Sequence, residues 1–156
     1  MIELAKMLAL ISVLGTAVVY GTDVFCAIVQ RPALALVDDR ALVAVMGNVH
    51  RYGDRRMPVP GVVGGVAAIA SAALFALAGQ WDQTVSAGCA VVLLLAWIAL
   101  YMRISAPINR QLTQAAADHQ VPPNARALQS NWDRIINARA ILQALALAAL
   151  CVTLIA

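Results

Sequence analysis

Four long apolar stretches alternate with polar segments along this chain. The stretches run from Met7 to Val29, from Val59 to Ala78, from Val85 to Ile104 and from Ile135 to Ile155. A helix needs about 20 mostly apolar residues to cross the hydrocarbon core of a bilayer, and each stretch has that length. The pattern therefore predicts an all-α fold, an integral membrane four-helix bundle, with residues 1–156 forming a single transmembrane domain.

The segments between the stretches differ in length and character. A short turn around Trp81 joins the second and third stretches, and tryptophan is typical of membrane interfaces. The longer segment 38–51 has apolar residues at helical spacing, namely Leu42, Val45, Met46 and Val49. This spacing predicts a short amphipathic interfacial helix between helices one and two, or a helix that continues above the bundle. Asp38 or Asp39 is placed to cap its start.

The second long connection, residues 105–134, contains two consecutive prolines. Pro122 and Pro123 break helical structure there, and Asn124 is placed to cap the helix that follows. The first stretch is longer than the apolar region of a secretory signal, so we expect it to be retained as the first helix.

Composition supports the membrane interpretation. Hydrophobic residues make up 62% of the chain and charged residues 12%, against roughly 45–50% and about 25% in soluble domains. So few charges cannot cover a soluble surface, so we expect the bilayer as a partner. The net charge of +3 does not indicate nucleic-acid binding, because aromatic residues for base stacking are scarce and arginines flank the apolar stretches.

The arginines predict the orientation of the chain. The two long connections hold most of them, with only Lys6 on the opposite side; they are Arg31, Arg40, Arg51, Arg55 and Arg56, then Arg103, Arg110, Arg126 and Arg134. By the positive-inside rule both long connections are cytoplasmic. Both termini and the Trp81 turn then face outward.

Small residues in the second stretch predict close helix packing. Gly61 and Gly65 lie four residues apart, and Gly64 is followed at the same spacing by Ala68 and Ala72. Small side chains at this spacing allow two helices to approach closely. The partner helix belongs either to the same chain or to a second copy in a homo-oligomer.

The cysteines and histidines form no recognisable metal motif. Cys26, Cys89 and Cys151 lie far apart in apolar segments, so we interpret all three as small packing residues. His50 could be a base, a metal or haem ligand, or a solvated interfacial residue, and solvation is the commonest state of a lone histidine. His119 lies in a polar loop and is expected to be exposed. No zinc spacing, phosphate-binding loop or nucleophile elbow is present.

Two charged residues fall where lipid should forbid them. Asp23 lies within the first stretch and Arg139 near the start of the fourth, in the same predicted membrane layer. A buried charge is costly unless it is paired, which predicts an Asp23–Arg139 pair, either direct or bridged by a substrate or water. The structural alternatives are a pair that only locks two helices together, or an Arg139 side chain that extends to the surface.

Polar and aromatic neighbours share the helical faces of these two charges. Thr16 and Tyr20 lie on the face of Asp23. The face of Arg139 also holds Trp132, Ile136 and Gln143. We expect Tyr20, Trp132 and Gln143 to contact a substrate, with Trp132 stacking on a flat molecule or anchoring the helix at the interface.

Several short motifs resemble the anthrone oxygenase-like family of small four-helix membrane proteins. After the third stretch, residues 105–112 read SAPINRQL, which contains a P-I-N-x-x-L element. Residues 131–134 read NWDR and are followed by Arg139, and the first helix carries Gly21-Thr22-Asp23 and then Arg31-Pro32-Ala33-Leu34, as in bacterial members. The resemblance spans most of the chain and implies a bacterial inner-membrane protein.

The resemblance also implies a chemistry. Fungal relatives oxidise an anthrone carbon to a quinone with oxygen, without a metal or flavin, so no cofactor is expected. Proton removal beside the carbonyl needs a base, for which His50 or Asp23 is the candidate. The resulting enolate oxygen needs a cation or a donor, such as Arg139 or Asn109. Many relatives place a histidine shortly before the final arginine, whereas positions 135–138 here hold none.

Three functions remain open at this point. The first is a membrane oxidoreductase that oxidises an aromatic or quinone-like hydrophobic small molecule. The second is a haem- or other cofactor-binding membrane protein, with His50 as the ligand. The third is a non-enzymatic membrane helper or small transport subunit, whose arginine-rich loops contact a cytoplasmic partner.

Overall fold

The computed structural model describes all 156 residues, and they form α-helices joined by short turns. The α-helices are α1 (Ile2–Phe25), α2 (Arg31–Leu34), α3 (Asp39–Arg56), α4 (Pro58–Leu77), α5 (Trp81–Leu100), α6 (Ala106–Ala117) and α7 (Ala125–Ile155). Two π-helical segments, Cys26–Gln30 and Tyr101–Ser105, join α1 to α2 and α5 to α6.

These elements combine into four long helical segments. They are Ile2–Leu34, Asp39–Leu77, Trp81–Ala117 and Ala125–Ile155, and each is long and apolar enough to cross a membrane. The predicted all-α class and the four apolar helices are therefore confirmed. The segments have 31 to 39 residues, so at about 1.5 Å per residue all four are longer than a hydrocarbon core of about 30 Å.

The apolar parts of the four segments pack as a ring. Helix α1 contacts α4 and α7, and α5 contacts the same two helices from the opposite side. At one end of the ring α3 packs on α6. The Asp38 carboxylate accepts a hydrogen bond from the Ala41 backbone N–H (2.7 Å) at the start of α3, so the predicted cap is confirmed. Because α3 runs almost directly into α4, the structure favours the predicted continuation above the bundle.

The second long connection is more helical than the sequence indicated. Residues 106–117 form α6, for which the sequence predicted nothing beyond a connection between two apolar stretches. Pro107 is tolerated because it lies in the first turn of that helix. Helix α7 begins at Ala125, ten residues before the predicted start at Ile135. Asn124 occupies the cap position, but its side chain makes no capping hydrogen bond.

The close helix contact forms between α1 and α4 of the same chain. A Cβ atom on Gly15 would lie 2.6 Å from the Pro60 carbonyl oxygen, and one on Gly64 would lie 3.1 Å from the Thr16 backbone nitrogen. Gly64 therefore fulfils the predicted packing role, with Gly15 as its partner. Gly65 has no such neighbour within 4 Å.

The outer surface of the ring is apolar. Val62 and Ile141 are each 60% exposed, and many other large apolar side chains are exposed around the ring. A soluble monomer rarely presents so much contiguous apolar surface. The cysteine interpretation holds only for Cys26, which is buried, because Cys89 and Cys151 lie on this exposed surface.

Candidate functional site

A partly open cavity of about 470 Å³ lies inside the bundle. Its wall is mostly apolar, but it also contains a group of polar and aromatic side chains from different helices. These are Asp23, His50, Asp54, Trp97, Tyr101, Asn109, Trp132, Arg139 and Gln143. The volume lies in the range of small-molecule sites, roughly 300–1,000 Å³.

Asp23 and Arg139 form the ion pair that the sequence predicts. The Arg139 Nη2 atom donates to Asp23 Oδ1 at 2.7 Å, and both side chains are almost fully buried. The second oxygen, Oδ2, accepts from Gln143 Nε2 (2.6 Å) and from Trp97 Nε1 (3.1 Å). Both oxygens of Asp23 are therefore engaged by donors from α5 and α7, which compensates for the cost of burying the carboxylate.

Three aromatic rings surround the Arg139 guanidinium. Its Cζ atom lies 5.7 Å from the ring centroid of Trp97 and 5.5 Å from those of Tyr101 and Trp132. Nη1 also donates to the Ser105 hydroxyl at 2.8 Å. A cation near ring faces is attracted by their quadrupoles, most strongly where water is excluded. The side chain is thus held inside the bundle, and the alternative in which it extends to the surface is wrong.

His50 is buried, so the solvated interpretation of this residue is wrong. It is 4% exposed, because α3 packs on α6 and turns this face inward. The imidazole ring lies 5.6 Å from the Trp132 ring, tilted by 49°. Its Nε2 atom is buried and has no hydrogen-bond partner. His119, by contrast, is exposed as expected.

Asp54 connects the end of the bundle where α3 packs on α6 to the cavity. Its Oδ1 atom accepts from the Tyr101 hydroxyl and from Asn109 Nδ2, each at 2.8 Å. These bonds join α3 to α6 and to the π-helical segment that precedes α6. They also fix the orientation of the Asn109 amide, whose Oδ1 atom is buried without a partner.

The structure brings together all but one of the predicted site residues. Trp132 and Gln143 line the cavity with the ion pair, whereas Tyr20 is half-buried and does not line it. Thr16 and Asp23 lie about 20° apart around α1, while Tyr20 lies about 60° from Asp23. That offset places Tyr20 outside the cavity, so its predicted contact with a substrate is not supported.

Sequence reasoning missed Asp54, Trp97 and Tyr101. Trp97 and Tyr101 lie four residues apart on one face and their rings stack, with centroids 6.0 Å apart. This i, i+4 aromatic pair was the available signal. Asp54 gave no signal, because it lies in an arginine-rich segment where a carboxylate is unexceptional.

Unpartnered polar atoms concentrate at the cavity. Five buried atoms of lining residues have no hydrogen-bond partner: Gln30 Oε1, His50 Nε2, Asn109 Oδ1, Trp132 Nε1 and Arg139 Nε. They include both donors and acceptors. Because a buried polar group without a partner is costly, a ligand that pairs with these atoms would be stabilised.

The cavity reaches the outer apolar surface between α4 and α5. Its lining includes side chains that are also exposed on the outside of the bundle, namely Val62, Val66, Ile69, Leu95, Ile98 and Met102. Gly61 and Gly65 also line it. The two glycines leave space where larger side chains would fill the cavity.

The structure contains no cluster of three or more histidine, cysteine or acidic side chains that could hold a metal ion. No family model matches the chain, and searches of curated proteins and of solved structures returned no match.

Proposed function

We propose that this chain is an integral membrane oxidoreductase that uses oxygen to oxidise a flat, hydrophobic aromatic or quinone-like molecule. The observation that carries the proposal is the buried Asp23–Arg139 pair, enclosed by three aromatic rings at a largely apolar cavity. An apolar wall with a few convergent polar groups is typical of small-molecule sites. The resemblance to anthrone oxygenase-like proteins points to the same substrate class.

The proposed reaction begins with removal of a proton from a methylene beside an aromatic carbonyl system. His50 is the better base, because its Nε2 atom is free, whereas both oxygens of Asp23 already accept hydrogen bonds. Arg139 would stabilise the enolate oxygen through its charge and its free Nε–H. Asp23 then acts as a positioning residue that fixes the guanidinium.

Oxygen is the oxidant in this proposal. The electron-rich carbon forms a bond to O₂ and gives a hydroperoxide on that carbon after protonation. Loss of water, with departure of the second proton of the methylene, leaves a carbonyl. One methylene and one O₂ thus give one carbonyl and one water.

The surroundings of the ion pair suit a flat substrate. The Trp132 ring lies 5.6 Å from the His50 ring and 5.5 Å from the Arg139 Cζ atom, so an aromatic substrate that stacks on Trp132 would lie near both. The free Asn109 Oδ1 and Trp132 Nε1 atoms can accept from and donate to its polar substituents. The lateral opening between α4 and α5 would admit such a molecule from the lipid.

We further propose that the chain lies in a bacterial inner membrane with both long connections cytoplasmic. The arginine distribution along the chain supports this orientation, and the resemblance to bacterial members supports the choice of membrane. Single cysteines in place of Asp82 and Asp118, in a variant without native cysteines, test it with an impermeant maleimide. In intact spheroplasts, labelling of Asp82→Cys alone agrees with the proposal, and labelling of Asp118→Cys contradicts it.

Oxygen consumption by the purified protein tests the reaction directly. We expect substrate-dependent uptake with an anthrone, and a loss of about 10²-fold or more in His50→Gln, because general-base catalysis contributes roughly 10²–10⁴-fold. His119→Gln is the matched control, since His119 is exposed and does not line the cavity. No uptake with several anthrones, or full activity in His50→Gln, would contradict the proposal.

The unpartnered His50 Nε2 atom also supports a second candidate function, haem binding. A single axial histidine at a cavity of this kind could ligate haem iron. A visible spectrum after haem addition tests this, with His50→Gln and His119→Gln again as the pair. A Soret shift that requires His50 supports it, and no Soret shift removes it.

A further inference from the structure

A second recess lies at the end of the bundle where α7 begins. It measures about 400 Å³, shares no residue with the first cavity, and borders α2 on one side and α7 on the other. Six of its lining residues are polar or charged: Arg31, Arg126, Gln129, Ser130, Asp133 and Arg134. Its lining carries three arginines and one carboxylate, so the recess keeps an excess of positive charge even though Asp39, outside the lining, pairs with Arg126.

Arg126 fixes one wall of this recess. Its Nε atom donates to Asp39 Oδ1 at 2.6 Å and its Nη1 atom to the Leu34 carbonyl at 2.9 Å. Its Nη2 atom donates to the Val37 carbonyl. These bonds tie the turn between α2 and α3 to α7. Arg126 is therefore occupied as a structural residue.

The other two arginines are free to bind. Arg31 and Arg134 make no side-chain hydrogen bond and no ion pair within the chain, and both are exposed. Two guanidinium groups on the rim of one recess favour a phosphate, whose oxygens match the donor geometry of arginine.

Gln129 supplies a different kind of contact. It is 4% exposed, its Nε2 atom donates to Asp133 Oδ1 at 2.9 Å, and its Oε1 atom is buried without a partner. The free Oε1 atom can only accept a hydrogen bond. A fully ionised phosphoryl group offers it no donor, whereas a hydroxyl of an alcohol attached to the phosphate does.

We propose that this recess binds a phosphate ester of a polyhydroxy alcohol. Arg31 and Arg134 contact the phosphoryl group, and a hydroxyl of the alcohol donates to Gln129 Oε1. The ligand comes either from an anionic phospholipid headgroup or from a soluble phosphate ester. Arg31 follows the first apolar stretch and Arg134 precedes the fourth, which corresponds to headgroup depth in the proposed orientation.

Calorimetric titration of the full chain in a neutral detergent tests the proposal. The probes are dihexanoyl-phosphatidylglycerol, dihexanoyl-phosphatidic acid, glycerol 3-phosphate and, as the zwitterionic reference, dihexanoyl-phosphatidylcholine. We expect saturable binding of phosphatidylglycerol. Its affinity should exceed that of phosphatidic acid, which has no headgroup glycerol and therefore no free glycerol hydroxyl. Binding of glycerol 3-phosphate with equal affinity would identify the soluble ester as the source, and its failure to bind would identify the lipid.

Matched variants locate the site. Because a hydrogen bond to a charged group contributes about 1.5–3 kcal/mol, the Arg31→Gln/Arg134→Gln double variant should bind at least about tenfold more weakly. Arg110→Gln removes an exposed arginine outside the recess and should bind as the natural chain does. Gln129→Leu should lose the preference for phosphatidylglycerol over phosphatidic acid.

Three outcomes would overturn the proposal. The first is no saturable binding of any phosphate probe. The second is equal binding by the double arginine variant, and the third is an equal loss in Arg110→Gln. Both altered arginines are exposed and unbonded, so the double variant should fold, and circular dichroism melting verifies this. The proposed oxidation is not involved, so the two proposals fail independently.

Discussion

Replacing Asp23 with asparagine separates the charge of this residue from its shape. Asparagine keeps the size of the side chain but leaves the Arg139 guanidinium buried without a counter-charge. Its amide nitrogen would also face a donor, either Arg139 Nη2 or Gln143 Nε2, where the carboxylate now accepts from both. We therefore expect Asp23→Asn to be destabilised through charge and hydrogen bonding together.

The magnitude follows from the burial of the pair. Removing one partner of a buried ion pair costs about 3–5 kcal/mol, and the three aromatic rings around Arg139 offset part of that loss. We expect a cost of about 3 kcal/mol for Asp23→Asn. Arg139→Gln should cost a similar amount, because it leaves the carboxylate unpaired. In the Asp23→Asn/Arg139→Gln double variant neither charge remains. Its cost should therefore be about 2 kcal/mol smaller than the sum of the two single costs.

Unfolding in detergent, followed by circular dichroism, measures these values for both single variants and the double variant. A coupling energy below about 0.5 kcal/mol would refute the reasoning, since residues in direct contact usually exceed it.

Oxygen uptake by the same samples separates structure from function. Well-packed apolar residues often replace a buried pair without loss of stability. A stable Asp23→Leu/Arg139→Met variant without oxygen uptake would thus assign the pair to function, and retained uptake would assign it to helix packing.

Three further variants test the packing of the fold in the same unfolding assay. Gly15→Ala should lower the free energy of unfolding by about 1–3 kcal/mol, because its Cβ would press on the α4 backbone. Its control, Gly65→Ala, should be neutral or raise that free energy by up to about 1 kcal/mol through helix propensity. Equal effects of the two variants would contradict the contact between α1 and α4. Arg126→Gln should lower the free energy of unfolding by about 1 kcal/mol and speed amide exchange in the turn between α2 and α3. The control Arg110→Gln should change neither quantity. Unaltered exchange in Arg126→Gln would show that Arg126 does not hold the turn. Tyr101→Phe should lose about 1 kcal/mol with the hydrogen bond to α3, and a neutral result would contradict that bond.

The apolar helices could be predicted from the sequence because each apolar stretch has about the 20 residues that a bilayer-spanning helix needs. This length requirement applies only to the apolar stretches, so it does not decide whether the polar residues beside them are helical. Residues 106–117 show this, because no helix was predicted there from the sequence. The segment is helical because it packs on α3, a contact between residues far apart in sequence.

The centre of the site was predictable for a different reason. A charge in an apolar helix needs a partner of opposite sign, so the sequence alone indicated that Asp23 and Arg139 pair with each other. His50 was not predictable in this way, because its burial depends on how α3 packs on α6. Trp97 and Tyr101 were missed because aromatic side chains in an apolar helix are common, and only their contacts with Arg139 distinguish them.

The glycines of α4 explain how a small helical bundle can enclose a cavity of this size. Gly64 meets Gly15 where the two helices touch, which draws α1 and α4 together. Gly61 and Gly65 instead line the cavity, so one turn of helix provides both a close contact and an open space. Close packing on one side fixes α1, and therefore Asp23, beside the space that the other glycines leave open. The small residues that a sequence pattern assigns to helix association thus have two separate effects here, and only the contacts of each glycine distinguish them.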